Sequence, residues 1–317
     1  MLGEFWTTTS GKLADRFVAA SLPAVVFWWG GLLAWVFGRW SVDGLNEFAG
    51  WLDRQPAMVQ LAVLLAALLT FGASAIVVRR LTRPVLRLLA GYWPRRPRLL
   101  ARLRASRVER VQRTSTTSSS RFQELMNLKD KGTATSEQLA ELVDNDNRSR
   151  RLPAPHRRMP TRVGNILRAA ESRPVDKYGL DAVHLWPHLW LLLPDTARQE
   201  LSMARTALNS AVNSGIWGVL FLLFAPWTLW AIPTGLAVTV AAWWQWLPAR
   251  AAVFADLVET AYDLYRGALY EQVRWPLPTN PKQERAQGRL LTTYLMRGLD
   301  DDRPSFGPQQ ASPYTES

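Results

Sequence analysis

Three long stretches of this chain contain no Asp, Glu, Lys or Arg. They cover residues 17–37, 55–78 and 206–249. Because a helix crosses a hydrocarbon bilayer core with about 20 apolar residues, the first two stretches predict one span each and the third predicts two. Pro226 and Pro233 favour a break within the third stretch. We therefore expect an all-α integral membrane protein with four transmembrane helices arranged as two hairpins, and with a helical cytoplasmic portion.

The basic residues beside these stretches predict an orientation. Loops rich in Lys and Arg are retained on the cytoplasmic side of a membrane. If both termini lie inside, only Arg39 and Arg54 face outward, whereas the basic residues near the other span ends face the cytoplasm. We therefore expect a multi-pass protein of the cytoplasmic (plasma) membrane with segments 1–16, 80–205 and 250–317 inside. The predicted hairpins then occupy residues 17–79 and 206–249.

Most of the net charge of +12 lies in one segment after the second predicted span. Residues 79–113 contain twelve arginines and one acid, Glu109, with leucines between them and a break near Gly91 and Pro97. Such a segment is typical of interfacial helices whose guanidinium groups contact anionic lipid phosphates. The residues expected to contact lipid are Arg79, Arg80, Arg83, Arg87, Arg95, Arg96, Arg98, Arg102 and Arg104. A nucleic-acid partner is not expected, because no nucleic-acid reader motif accompanies the charges.

Small and polar residues within the predicted spans suggest where helices pack. Two rows of small residues four apart could allow close helix approach, although such residues are also common in membrane helices without that role. The rows are Gly30, Ala34 and Gly38 in the first span and Ser210, Ser214 and Gly218 in the third. The amides of Asn209, Asn213 and Gln245 would either form interhelical hydrogen bonds or line a water-filled path.

The segment 114–159 is predicted to hold flexible linkers and one short helical hairpin. Residues 114–120 read TSTTSSS, a composition typical of a linker, and 144–158 resembles a second flexible connection. Between them, Thr135 and Gln138 have the spacing of a capping box, which predicts that a helix starts there. Helices are also expected over 250–298, followed by a disordered tail at 299–317.

The amphipathic region 160–205 contains the most distinctive pattern in the chain. His184 and His188 flank Pro187, which argues against a regular helix, and two histidines without a third ligand make a poor metal site. A membrane-facing amphipathic segment is favoured instead. From Asp195, a possible N-cap, a helix can continue into the third span. No metal or other cofactor is expected.

The sequence TRVGNILRAAESRPVDKYGLDAVHLWPHLWLLLP at 161–194, followed by a two-span hairpin and a helical tail, resembles a family of uncharacterised multi-pass membrane proteins from high-GC bacteria. The resemblance covers about residues 160–298. It implies architecture and lineage. It maps no catalytic motif onto this chain.

The functional prediction follows from class and topology. Zero cysteines exclude disulfides and thiolate chemistry, and the sequence contains no phosphate-binding loop, dinucleotide fingerprint, zinc-protease helix or nucleophile elbow. No catalytic, cofactor-binding or metal-binding residue is therefore predicted. We expect a non-catalytic membrane scaffold or sensor whose cytoplasmic helices bind a protein partner and anionic lipid. The alternative is a homo-oligomeric channel or membrane-disrupting effector gated by the cytoplasmic portion.

Overall fold

A computed structural model describes residues 24–33, 43–94, 96 and 98–298. Its regular elements are all helices, and no strand occurs in this part of the chain. This confirms the all-α class. The helices are α1 (Ala24–Leu33), α2 (Asp43–Asp53), α3 (Ala57–Leu89), α4 (Arg98–Asp130), α5 (Ser136–Arg150), α6 (Arg162–Tyr178), α7 (Ala182–Leu192), α8 (Asp195–Phe221), α9 (Ala231–Val240), α10 (Leu247–Gln272) and α11 (Pro281–Arg297).

The chain divides into two compact units, each assembled from two separate segments. Unit 1 comprises residues 1–86 and 209–247, which include the first predicted hairpin and most of the second. Unit 2 comprises residues 87–208 and 248–317. Both α3 and α8 continue across a division point, so the units are defined by packing rather than by linkers.

Two described helices are long and apolar enough to cross a membrane. They are Ala57–Leu89 and Asp195–Phe224, and the second consists of α8 and the 3-10 turn that follows it. The described part of α1 is shorter, and a π-helical segment, Ala241–Trp246, separates α9 from α10. The second and third predicted spans therefore correspond to candidate membrane helices, whereas the first and fourth stay predictions.

The arginine-rich segment breaks where the sequence predicted. α3 continues beyond the uncharged stretch and ends at Leu89, and Gly91 then adopts a left-handed conformation with φ 86°. The backbone N–H of Tyr92 donates to the carbonyl of Arg87 at 3.0 Å, as in a Schellman-type helix end. The two interfacial helices expected here are therefore not separate short elements, because the first is the end of α3 and the second is the start of the 33-residue α4.

The predicted linker at 114–120 is wrong, because α4 continues as one helix through it. Several of its hydroxyls donate to carbonyls of the preceding turn, as Thr116 does to Gln112 at 3.0 Å and Ser119 to Ser115 at 2.9 Å. This bonding satisfies the hydroxyl groups within the helix, but it also competes slightly with the backbone hydrogen bonds. Packing against α5 then supplies the stability that their low helix propensity lacks.

The structure bears on two further predictions in this region. The capping box is confirmed, since the hydroxyl of Thr135 accepts from the backbone N–H of Gln138 and the Gln138 side chain accepts in return. The flexible connection at 144–158 is largely wrong, because α5 extends to Arg150 and a short 3-10 helix forms at Pro155–Arg157.

Pro187 lies inside α7, so the prediction that it prevents a regular helix is wrong. Asp181 caps the helix by accepting from the backbone N–H groups of Val183 and His184. Leu185 and Leu189 are fully buried on the opposite side from the exposed proline. Burying these two leucines outweighs the one backbone hydrogen bond that proline cannot form.

The main apolar core of unit 2 lies where α7 packs against α10. Tyr262 and Leu269 of α10 are fully or almost fully buried with Leu185 and Leu189, and Leu291 of α11 joins them. The Tyr262 hydroxyl donates to the Ala182 carbonyl at 3.0 Å, and burial raises the pKa of this phenol. The hydrogen bond satisfies a polar group that would be costly to bury alone.

Ion pairs connect α6 to α10 at the edge of this core. Arg173 and Lys177 of α6 both contact Glu259, and Lys177 also contacts Asp263. The Tyr178 hydroxyl donates to Asp263 at 2.6 Å. Each carboxylate therefore has more than one partner.

Two glycines allow α6 and α11 to approach backbone to backbone. Gly179 ends α6 in the left-handed region, with φ 75°. A Cβ atom added to Gly179 would lie 2.1 Å from the carbonyl oxygen of Arg285, and one added to Gly288 would lie 2.0 Å from that of Tyr178. No side chain fits at either position without separating the two helices.

This close approach predicts that Gly288→Ala destabilises the protein. We expect the free energy of unfolding to fall by about 1 to 3 kcal/mol, the usual cost of overpacking. The matched control is Gly267→Ala in α10, where nothing lies within 4 Å of the added methyl and a gain of about 0.5 to 1 kcal/mol is expected. Unfolding of the detergent-purified chain measures both, and equal stabilities of the two variants would contradict the packing described.

Candidate functional site

Asn213 is the predicted intramembrane amide that bonds to another helix of unit 1. The Thr82 hydroxyl of α3 lies 2.5 Å from its side-chain oxygen and 3.0 Å from the Val78 carbonyl. Thr82 is buried. Asn209 is half-buried, and Gln245 is exposed in the π-helical segment. Of the two roles predicted for these amides, Asn213 therefore has the first, an interhelical hydrogen bond.

Close helix packing in unit 1 involves only some of the predicted small residues, together with others that were not predicted. Gly218 of the predicted set does face α9, since an added Cβ would lie 2.9 Å from the Gly235 carbonyl. Ser210 is exposed, and Ser214 donates to the Ser210 carbonyl within its own helix. The contact missed from the sequence is Gly215, where an added Cβ would lie 1.8 Å from the Trp243 indole nitrogen.

The other predicted row is described only in part. An added Cβ on Gly30 would lie 3.1 Å from the ring of Phe221, so this glycine lies at a helix contact of unit 1. Gly31, which was not predicted, is tighter, with 2.2 Å to the ring of Phe224. Ala34 and Gly38 lie outside the described residues.

The predicted lipid-contact arginines extend along the end of α3 and the start of α4. Arg95 lies outside the described residues, and Arg104 is half-buried. None of the described members forms an ion pair. The exposed members are Arg79, Arg80, Arg83, Arg87, Arg96, Arg98 and Arg102.

A cavity of about 680 Å³ lies within unit 2, between α4, α5 and the start of α6. We call it the cationic cavity, and none of its lining residues is acidic. Its charged lining residues are Arg107, Arg110, Arg148, Arg151 and Arg162, and its hydroxyl residues are Thr114, Ser115, Ser118, Ser119 and Ser149. The arginines are exposed and form no ion pair within the described chain.

An interaction between α4 and α5 holds two walls of the cavity together. The Arg121 guanidinium donates to both carboxylate oxygens of Glu141, each at 3.0 Å. These hydrogen bonds lower the pKa of Glu141. Leu125 and Leu142 are buried in the same pair of helices. Fork-to-fork geometry fixes orientation as well as distance, so the register of the hairpin is defined.

The third wall begins at a turn that Asn165 organises. Its side-chain oxygen accepts from the backbone N–H of Met159 at 2.8 Å, and its amide donates to the carbonyls of Met159 and Thr161. Thr161 caps α6 by accepting from the backbone N–H of Gly164 at 3.0 Å. The buried amide therefore fixes the start of the helix that carries Arg162.

Arg158 extends behind this turn toward α4 and has no carboxylate partner. Its two terminal nitrogens donate to the side chains of Gln112 and Ser115, both at 2.6 Å. Its third nitrogen, Nε, is buried without a hydrogen-bond partner. Burial lowers the pKa of this guanidinium. Because Ser115 lines the cationic cavity, a partly buried and uncompensated positive charge lies next to the cavity.

The two histidines of α7 are exposed and do not assemble a metal site. His184 contacts the Asp181 carboxylate at 3.0 Å, whereas His188 forms no such pair. No group of three His, Asp or Glu side chains that could hold a metal ion occurs among the residues described.

The cationic cavity is not predicted from the sequence, because the linker expected at 114–120 lies in the middle of its main wall. No periodic pattern in the sequence marks that wall, since every residue from 112 to 121 is polar. In the folded chain, the lining residues on α4 recur at spacings of three and four, as on one face of a helix, at positions 107, 110, 111, 114, 115, 118, 119, 122 and 123. The face that these residues share is therefore apparent only when 114–120 is helical.

The Thr82–Asn213 contact predicts that substitutions of these two residues have non-additive effects on the free energy of unfolding. We expect Thr82→Val and Asn213→Leu each to lower the free energy of unfolding by about 0.6 to 2 kcal/mol, as for other interhelical bonds in membranes. The double variant should lose less than the sum, because either change already removes the bond. Gln245→Leu, at an exposed amide, is the control and should change little. If the two losses of unfolding free energy add exactly when the protein is unfolded in detergent, the hydrogen bond contributes nothing to stability.

Comparisons with known proteins give no relative from which to transfer a role. No protein-family model, curated protein or solved structure matches this chain.

Proposed function

We propose that this chain is a multi-pass protein of the cytoplasmic membrane that acts as a non-catalytic scaffold or sensor. The observation that carries the membrane assignment is the exposed apolar surface of α3. Only 11% of its most apolar window is buried, and Leu64, Leu69 and Ile76 are each more than half exposed. Contiguous apolar surface of this extent requires lipid or a partner to cover it.

The charge at the end of α3 supports the same proposal. Arg79 and Arg80 follow the apolar stretch directly, and Arg83 and Arg87 continue along the helix. All four are exposed. Arginines at this position can extend to the phosphate level and fix the depth of a membrane helix. Their abundance supports a cytoplasmic location for this end in the proposed topology, with both termini inside.

The scaffold or sensor role is proposed for unit 2. Its helices present exposed apolar side chains, including Val183 and Leu191 of α7, and the polar cationic cavity. These features suit binding of a cytosolic protein partner, of anionic lipid or of a small ligand, and a homo-oligomer is compatible with the same surfaces. The alternative, a homo-oligomeric channel or membrane-disrupting effector, rests on the small-residue rows and on Asn209 and Asn213. Because Asn213 bonds to Thr82, we favour the scaffold or sensor.

Single-cysteine labelling tests the topology with no background, because the chain contains no cysteine. Asp53→Cys and Ser120→Cys place thiols at two exposed positions, one on each predicted side. A membrane-impermeant maleimide should label the Asp53→Cys variant in intact cells. It should label the Ser120→Cys variant only after the membrane is permeabilised.

Labelling of both variants in permeabilised cells controls for reactivity. The reverse pattern in intact cells would overturn the orientation, and release of the chain into the soluble fraction by alkaline washing would overturn the membrane assignment.

A further inference from the structure

We propose that the cationic cavity binds a small ligand with a phosphate monoester group attached to an apolar or ring-bearing body. The inference names the ligand of the proposed sensor and in that respect rests on the proposed function. The cavity itself is formed entirely by residues of unit 2. Binding can therefore be measured whether or not the chain spans a membrane.

The first argument is charge. Five arginines from α4, α5, the end of α5 and the start of α6 converge on one cavity whose lining contains no carboxylate. Like charges held close together repel each other, and an anion between them removes that repulsion. Arg158 adds a partly buried guanidinium that bonds only to neutral groups and leaves Nε without a partner. A buried cation of this kind is normally paired.

The second argument is the arrangement of hydroxyl groups on α4. Thr116, Thr117, Ser119 and Ser120 donate to carbonyls of their own helix. The hydroxyls of Thr114 and Ser118, which line the cavity, form no hydrogen bond within the described chain.

These unused hydroxyls complement the guanidinium groups. Guanidinium groups bind phosphate oxygens through paired hydrogen bonds, and hydroxyls supply additional single donors. The combination suits a group with three terminal oxygens.

The third argument is the apolar part of the lining. Val111 and Phe122 of α4, Leu152 after α5 and Ile166 of α6 line the same cavity. The volume of about 680 Å³ falls within the range of about 300 to 1,000 Å³ usual for small-molecule sites. A bare inorganic anion would leave most of this space and the aromatic ring of Phe122 without contacts. The ligand therefore carries an apolar or ring-bearing portion beside its phosphate.

The phosphate could belong to a soluble ester or to a lipid headgroup, so the experiment has two arms. In the first arm, calorimetry measures binding of AMP to the full-length protein in detergent, with adenosine as the phosphate-free control. In the second arm, the protein is placed in nanodiscs with phosphatidic acid or with phosphatidylcholine alone, and the rise in unfolding temperature due to phosphatidic acid is measured.

Matched variants test whether any binding takes place in the cationic cavity. Arg148→Gln with Arg151→Gln removes two lining charges. Arg113→Gln with Arg150→Gln removes the same amount of charge at two residues that do not line the cavity. These residues pair with Glu109 and Asp146. A charge-neutral pair, Thr114→Val with Ser118→Ala, tests the hydroxyls, and the unfolding temperature of each unliganded variant shows that it folds.

We expect AMP to bind and adenosine not to bind, with at least tenfold weaker AMP binding in the cavity arginine pair and no such loss in the matched pair. The hydroxyl pair should also weaken binding. If only phosphatidic acid binds, and the same variants weaken its binding, the site is supported and its phosphate belongs to a lipid headgroup.

Absence of binding in both arms, or equal losses in the two arginine pairs, would overturn the inference. Failure of the proposed function shows separately, in the labelling and alkaline-wash results.

Discussion

The apolar surface of α3 is the constraint on which the proposed architecture depends. A 33-residue helix whose apolar window is mostly uncovered cannot remain in water without a large unfavourable free energy. In the proposed membrane, lipid would cover that surface, and the arginines that begin directly at Arg79 would lie at the phosphate level. Close packing in unit 1 at glycines such as Gly215 and Gly218, and the hydrogen bond between Thr82 and Asn213, would fit the same setting, since helices in lipid associate through close contact and interhelical hydrogen bonds.

Unit 2 depends on different physics, because its helices are amphipathic and bury a conventional core. The fully buried Leu185, Leu189 and Tyr262 anchor α7 to α10, and glycine contacts bring α11 against the end of α6. The α4–α5 hairpin is more polar, with Arg121 and Glu141 joining its helices. The arginines that line the cationic cavity lie mostly on these two helices or directly after them.

Local patterns predicted helix class and several helix ends well. The capping box at Thr135, the break near Gly91 and the unbroken helix from Asp195 all depend on residues within one or two turns, and the sequence shows them directly. Predictions failed where tertiary packing decides. The helix at 114–120 forms against α5, and α7 retains Pro187 because its opposite face is buried.

The candidate site could be predicted only in pieces. The sequence shows the arginines directly. Whether they face lipid or a cavity depends on the helix face that they occupy, and this face is defined only because α4 is one continuous helix. Arg158 was not predictable, since its partners lie more than 40 residues away at Gln112 and Ser115. Glycine contacts such as that of Gly288 with Tyr178 likewise join distant segments, and no periodic pattern in the sequence marks them.

The hydroxyl-rich middle of α4 has a kinetic consequence. Serine and threonine have lower helix propensity than alanine, and their side chains compete with the backbone for its carbonyls. The turns around Thr116 and Ser119 should therefore open more readily than the flanking turns, and their amide protons should exchange with deuterium sooner. An occupant held by Thr114 and Ser118 would slow that exchange, so this stretch of helix reports locally on whether the adjoining space is filled.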